Sequence, residues 1–155
     1  MKIPEDKKVN VMTSALDERY KSIHIIRERV QIVSIWILGI LLGVSGWLFQ
    51  SDIFFSYTQK VFGSILIIII WVTLRRYYFR DLEKGFNSQR QVVAVIENEL
   101  GLYDKGVYCE LDESLYPIPW KKSGQKGSEG EFFNNAYNLL AIGFGILFIV
   151  LLLIK

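Results

Sequence analysis

Side chains able to catalyse reactions or to bind metals are few and scattered among the 155 residues. The single Cys, Cys109, has no base nearby in sequence, since the single His, His24, is far away, and the pair cannot form a His and Cys metal site. Carboxylates are concentrated in residues 97–113, without the spacing of a metal-ligand set. We therefore expect a solvated acidic surface there, and neither a catalytic residue, a metal site nor a cofactor.

Charged residues are separated from long apolar stretches, although they make up 22% of the chain. No charge occurs in residues 30–51, 61–74 or 132–154. Since a helix rises 1.5 Å per residue, about 20 apolar residues suffice to cross the hydrocarbon of a bilayer. The pattern excludes a soluble globular enzyme and predicts an all-α membrane protein with three transmembrane helices. The net charge of +2 is too small to indicate a nucleic-acid partner.

The distribution of Lys and Arg predicts the orientation of these helices. All but two of the 18 basic residues lie in residues 1–29 and 75–131. Because cytoplasmic segments carry the excess of positive charge, the N-terminus is expected inside and the C-terminus outside. The predicted parts are a cytoplasmic N-terminal helical arm, a two-span hairpin, a cytoplasmic insert and a C-terminal transmembrane helix, over residues 1–29, 30–78, 79–131 and 132–155.

The N-terminal arm and the first half of the insert are predicted to be helical. Apolar residues recur at helical spacing along the arm, and Thr13 or Ser14 is the expected N-cap. The helix is expected to continue from the second span to Leu100, with a kink or a fresh N-cap between residues 85 and 88 and a stop at Gly101. At the membrane surface, anionic headgroups are expected to bind three arginines, namely Arg75, Arg76 and Arg80.

The second half of the insert is predicted to be extended and then mobile. Each proline in the stretch Tyr116–Trp120 restricts its own backbone and that of the preceding residue, so this stretch is expected to be extended. Residues 121–130 are polar and rich in glycine, which is typical of a flexible connection. Tyr116 and Trp120 are the candidate contacts for a cytoplasmic partner.

The first apolar helix has two faces that could contact other helices. Gly39, Gly43 and Gly46 share one face, and small residues at this spacing let two helices approach closely. Packing within the chain and packing between subunits both fit that face. The second face carries Gln31, Ser34 and Ser45, which are either helix contacts or the lining of a narrow pore.

The order of these parts is more specific than any single motif. Trp71 precedes Arg75 and Arg76, and three runs follow, Asp-Leu-Glu-Lys-Gly-Phe-Asn at 81–87, Val-Ile-Glu-Asn-Glu-Leu-Gly-Leu-Tyr at 95–103 and Tyr-Pro-Ile-Pro-Trp-Lys at 116–121. With the arm and the last span, this layout resembles the RipA-type octameric family of small bacterial inner-membrane proteins. It is also similar in plan to SLATT effectors and to membrane accessory proteins found beside CRISPR operons.

The resemblance implies a ring-shaped homo-oligomer in the bacterial cytoplasmic (inner) membrane, with the insert forming a vestibule. We expect a pore-forming or membrane-perturbing effector, or an accessory protein, in stress or phage defence. The alternative is a non-conducting scaffold that recruits a cytoplasmic partner. The expected partners are the lipid bilayer, further copies of the chain, and a cytoplasmic protein or nucleotide signal.

Overall fold

The computed structural model of the chain describes residues 4–109, 113–126 and 131–154. The helices are α1 (Glu5–Gln50), α2 (Tyr57–Thr73), α3 (Arg80–Glu99), α4 (Ile118–Lys126) and α5 (Phe132–Leu153). A π-helical turn, Leu74–Phe79, joins α2 directly to α3 and is here called the π turn. Within these described residues there is no β-strand, and one isolated antiparallel bridge pairs Lys105 with Ser114. The prediction of an all-α chain is confirmed.

Three helical segments are long and apolar enough, by length and composition, to cross a membrane. They are α1, the continuous helix Tyr57–Glu99, and α5. The prediction of three apolar helices long enough to cross a membrane is therefore confirmed. The orientation of the spans and the assembly of a ring stay predictions.

The chain divides into two compact units. The first, here called the apolar unit, comprises Glu28–Leu82 and Glu131–Lys155. The second, here called the polar unit, comprises Met1–Arg27 and Glu83–Gly130. Both α1 and the helix that contains α2 and α3 contribute residues to each unit.

In the apolar unit, α5 packs against both α1 and α2. A Cβ atom added at Gly143 would lie 2.9 Å from Leu38 Cδ1 and 3.0 Å from Leu41 Cδ1, so any side chain there would require these leucine side chains to move. At the contact with α2, a Cβ atom at Gly63 would lie 2.9 Å from Leu151 Cδ2. The core consists of one side of α5 together with inward residues of α1, and α2 has no buried residue.

Hydrogen bonds fix the ends of α2 and α5 together. Ser56 and Gln59 form a reciprocal capping box at the start of α2, which satisfies backbone groups that a helix leaves open. One turn later, the Lys60 ammonium group donates hydrogen bonds to the carbonyls of Leu152, at 3.4 Å, and Ile154. Lys60 thereby caps the last turn of α5.

In the polar unit, the N-terminal part of α1 packs against α3. Arg19 Nη1 donates a hydrogen bond to Gln89 Oε1 at 3.0 Å, and the Arg27 guanidinium lies 5.8 Å from the centre of the Phe86 ring. The buried apolar residues of this unit are Ile23, Phe86, Val93, Ala94 and Tyr103. The apolar face predicted for the arm is therefore covered by α3 of the same chain.

Two predicted features of the long helices are wrong. The N-cap expected at Thr13 or Ser14 does not exist, because α1 begins at Glu5 and Thr13 Oγ1 donates to the Val9 carbonyl at 3.0 Å. The kink expected in residues 85–88 is also missing, since α3 is continuous there. Phe86 is fully buried, and this packing outweighs the weak helix propensity of its neighbours.

The extended conformation predicted for Tyr116–Trp120 is wrong beyond Pro117. Helix α4 begins at Ile118, because a proline in the first helical turn loses no hydrogen bond that the helix requires. The helix continues to Lys126, into the stretch expected to be a flexible connection. Helix α4 packs closely against α3 at Gly124, where an added Cβ atom would lie 2.8 Å from Ala94 Cβ. The rest of that stretch, residues 127–130, lies outside the described residues.

We predict that Gly143→Leu destabilises the apolar unit by about 1–3 kcal/mol, the usual cost of overpacking a well-packed site. Gly145→Leu is the matched control, because an added Cβ at Gly145 has no neighbour within 4 Å. Thermal unfolding of the detergent-solubilised variants would measure the difference. Equal unfolding temperatures for the two variants would contradict the packing of α5 on α1.

Candidate functional site

The glycine face of α1 is open within the chain. In the described structure, a Cβ atom added at Gly39, Gly43 or Gly46 would meet no other atom within 4 Å. This distinguishes them from Gly63 and Gly143, which another helix contacts closely. Packing within the hairpin, one of the two alternatives that the sequence left open for this face, is therefore not seen, and helix packing between subunits stays a prediction.

The serine face of α1 is turned towards the interior of the apolar unit. Ser34 is 3% exposed and Ser45 is 4% exposed. Ser45 Oγ donates to the Leu41 carbonyl at 2.7 Å, whereas Ser34 Oγ has no hydrogen-bond partner among the described residues. A pore lined by these hydroxyls, which stays a prediction, requires that α1 separate from the helices that now cover them.

A groove of about 550 Å³ lies beside Ser34. It runs between the beginning of the apolar stretch of α1 and the first turns of α5, within the apolar unit. Its walls are mostly apolar, and the amides of Gln31 and Asn135 are its other polar groups. Gln31 is exposed, so the structure brings two of the three candidate pore residues, Gln31 and Ser34, to one groove, and it places Ser45 three turns away.

The three arginines predicted at the membrane surface belong to the π turn and its C-terminal cap. Arg75, Arg76 and Arg80 are all exposed. The Arg80 backbone N–H donates to the Arg75 carbonyl, which is the i to i+5 bond of a π-helix. The Arg75 guanidinium lies 5.5 Å from the centre of the Tyr137 ring of α5.

A buried carboxylate, Glu97, is the centre of the polar unit. The sequence assigned it to a solvated acidic surface, but it is only 2% exposed, so that assignment is wrong. Tyr20 Oη donates to one of its oxygens and Tyr103 Oη donates to the other. A buried carboxylate is costly unless its oxygens accept hydrogen bonds, and these two tyrosines supply them.

The end of α3 positions Tyr103 for this contact. Gly101 has a φ of 72°, and its N–H donates to the Asn98 carbonyl, while the Leu102 N–H donates to the Glu97 carbonyl at 3.1 Å. These bonds form a Schellman motif, which reverses the chain directly after the helix. The predicted helix stop at Gly101 is thereby confirmed, and the turn brings Tyr103 back over Glu97.

Both tyrosines are held in the protonated form. Burial raises the pKa of Tyr20 and of Tyr103 well above the ordinary value, and the adjacent Glu97 carboxylate raises each further. Each hydroxyl can therefore remain a hydrogen-bond donor throughout the physiological pH range. Both Glu97 oxygens accept a hydrogen bond. The side chains of Tyr20, Glu97 and Tyr103, here called the tie, therefore link α1, α3 and the loop that follows α3.

The two candidate partner contacts, Tyr116 and Trp120, lie beside this tie. Tyr116 is half-buried, with its ring centre 6.0 Å from that of Tyr103 and 5.7 Å from that of Trp120. Trp120 is 53% exposed at the start of α4, and the Lys121 ammonium lies 5.8 Å from the Tyr103 ring centre. The structure thus brings the two predicted residues together at the edge of the buried tyrosine cluster.

Sequence reasoning missed the Tyr20, Glu97 and Tyr103 cluster. Tyr20 is distant from both in sequence, and nothing in the spacing of residues 97 and 103 distinguishes a buried carboxylate from a solvated one. The available signal was Gly101, because a helix stop there returns the chain towards the last turn of α3. Among the described residues no group of three or more His, Cys, Asp or Glu side chains could hold a metal ion.

We predict that Tyr20→Phe lowers the free energy of unfolding by about 1–3 kcal/mol, because it leaves one oxygen of a buried carboxylate without its donor. Tyr77→Phe is the control, since Tyr77 is 70% exposed and its hydroxyl has no such role. Chemical denaturation monitored by circular dichroism would measure both variants. A Tyr20→Phe protein as stable as the Tyr77→Phe protein would contradict the tie.

The same tie predicts a loss of stability at alkaline pH. An unfolded tyrosine titrates near pH 10, and the folded-state pKa values of Tyr20 and Tyr103 are raised above that value. Their contribution is therefore complete below about pH 10 and is lost as the pH rises above it. We expect the unfolding temperature of the wild type to fall more steeply above pH 10 than that of a Tyr20→Phe, Tyr103→Phe double variant. Parallel profiles would contradict this.

Comparison with protein-family models, with curated protein sequences and with solved structures found no match to this chain. The resemblance to RipA-type proteins accordingly stays a hypothesis. Three features of the chain bear on its function, namely the open glycine face, the buried carboxylate and the π turn.

Proposed function

We propose that this chain is a homo-oligomeric protein of the bacterial cytoplasmic membrane that acts as a pore-forming or membrane-perturbing effector or accessory in stress or phage defence. The observation that supports the assembly most directly is the open glycine face of α1. The resemblance in layout to RipA-type proteins supports the ring and the bacterial membrane.

The glycine face supports assembly because two other glycines of the apolar unit mediate close packing between helices. Gly63 and Gly143 each let a neighbouring helix approach to contact distance within the apolar unit. Gly39, Gly43 and Gly46 offer the same kind of surface with nothing against it. Since lipid chains gain little from a glycine surface and a second helix gains close packing, a further copy of α1 is the proposed occupant.

The buried serines support a closed resting state. In the single chain Ser34 and Ser45 are covered, so a ring of chains in this conformation would present neither hydroxyl to a central path. Opening would then require a shift of α1 against α5. An effector that stays closed until a signal arrives fits this requirement, and the proposed receiver of the signal is the polar unit, through Tyr116 and Trp120.

The second candidate function is a non-conducting scaffold that recruits a cytoplasmic protein. The exposure of Trp120 and of Ile118, at 53% and 50%, favours it, because exposed large apolar groups outside the apolar spans suit a contact with another protein. Both candidates share the assembly and differ in whether the membrane becomes permeable.

We predict that Gly39→Leu with Gly43→Leu converts a discrete oligomer into smaller species. The chain itself has room for both leucines, so folding should be unchanged, whereas a second helix would be pushed away. Val44→Leu, an exposed position on another side of α1, is the control. Native mass spectrometry of the detergent-extracted protein would measure the subunit number. An oligomer that survives the double substitution would refute the proposed interface.

We predict dye leakage from liposomes that contain the wild-type protein and none from liposomes that contain the Gly39→Leu, Gly43→Leu variant. The physical reason is that a path through the membrane needs several copies of these short spans. Leakage from both proteins would mean that membrane perturbation does not depend on the glycine interface. Tight liposomes at every protein density, with the oligomer intact, would favour the scaffold.

A further inference from the structure

The π turn brings Arg75 to the side of the helix that carries Arg80, whereas a regular helix would bring only Arg76 and Arg80 to one side. An α-helix turns about 100° per residue, so residues five apart lie about 140° apart around its axis. The hydrogen bond from the Arg80 N–H to the Arg75 carbonyl places these two residues one turn apart instead, on the same side. Arg76 follows Arg75 within that turn. The wide turn therefore concentrates three positive charges on one sector of the helix.

One of these groups is positioned by an aromatic ring. The Arg75 guanidinium lies 5.5 Å from the centre of the Tyr137 ring, and the same ring stands edge-on to Phe79, with centres 6.0 Å apart. Phe79 is fully buried, so the ring is fixed by the core of the apolar unit. A guanidinium over an aromatic ring gains cation–π attraction without using its N–H groups in hydrogen bonds to the ring, so these donors remain for another ligand.

The charges of this sector are not neutralised. Arg75, Arg76 and Arg80 are exposed, and in the part of the chain that the structure describes neither Arg76 nor Arg80 forms an ion pair. The nearest acid in sequence is Asp81, which is also exposed. Three adjacent cations on an exposed surface repel one another weakly through water, and an anion bound between them would be attracted by all three.

The position of the π turn along the helix indicates what kind of anion is available. Residues 57–74 precede the arginines, and at 1.5 Å per residue they extend about 27 Å, close to the thickness of the hydrocarbon layer. When this helix crosses a bilayer, the three arginines lie at the level of the lipid phosphates. A phosphate monoester carries roughly −1.5 to −2 charges and three acceptor oxygens, which suits three guanidinium forks.

We propose that Arg75, Arg76 and Arg80 form a binding site for the phosphate monoester headgroup of a single membrane lipid. This goes beyond a general attraction of basic residues to an anionic surface, because it assigns one lipid per chain and a preference among anionic lipids. The proposal requires that the helix cross a bilayer. It does not require that the chain oligomerise or conduct, so its failure and the failure of the proposed function are separate outcomes.

The test is native mass spectrometry of the full-length protein in neutral detergent with phosphatidic acid or phosphatidylglycerol added at equal concentration. We expect one phosphatidic acid per chain, bound at least tenfold more tightly than phosphatidylglycerol, whose phosphate is a diester. The decisive variant is Arg75→Lys, Arg76→Lys, Arg80→Lys, which preserves the charge and removes the guanidinium forks. We expect it to lose the preference, and Arg29→Lys, an exposed basic position on α1, to keep it.

Three outcomes would overturn the proposal. They are equal binding of the two lipids by the wild type, an unchanged preference in the triple Lys variant, and binding that is abolished equally by Arg29→Lys. Circular dichroism of each variant would establish that the helices are intact, which the exposure of all four arginines predicts. Tyr137→Leu adds a readout for positioning, because it removes the ring beneath Arg75 without changing any charge, and we expect it to weaken phosphatidic acid binding severalfold.

Discussion

Close contact of α5 with two other helices is the constraint on which the apolar unit depends. Between helices surrounded by lipid the hydrophobic effect contributes little, because lipid chains are as apolar as leucine side chains. Association must then come from close packing, and Gly143 allows it between α5 and α1 while Gly63 allows it between α5 and α2. The Lys60 ammonium group adds hydrogen bonds at the end of the same helix, where the final carbonyls would otherwise lack donors. A single helix near the C-terminus thus organises the two spans that precede it.

The polar unit depends on a different balance, in which apolar burial and one buried charge act together. Phe86 and Val93 are fully buried, which supplies an ordinary hydrophobic contribution. Glu97 adds directional contacts, because its two oxygens accept hydrogen bonds from side chains on different parts of the chain. Removing either donor leaves an oxygen of the carboxylate unsatisfied in a buried place, so the cluster favours one arrangement of α1, α3 and the loop over its alternatives.

The features that could be predicted from the sequence are those that a single helix specifies by itself. Charge-free stretches specify apolar spans, and Gly101 specifies a helix stop, since a positive φ suits glycine. The failures concern packing between elements. Pro119 is accommodated in the first turn of α4, and Glu97 is buried by tyrosines distant in sequence. The π turn at Leu74–Phe79 has no signal of its own, because its residues fit an ordinary helix equally well.

The two small-residue faces of α1 show why spacing alone could not assign their roles. Both Gly39 with Gly43 and Ser34 with Ser45 have the periodicity of a helix contact, and either could have faced the rest of the chain. The packing of α5 determines which face is covered. Leu38 and Leu41, which lie on the serine side of α1, pack against α5 at Gly143. Once that side is occupied, the serines are buried and the glycines are turned outwards. The surface available to another copy is therefore a consequence of the packing of α5, so any change that shifts α5 also alters the glycine face.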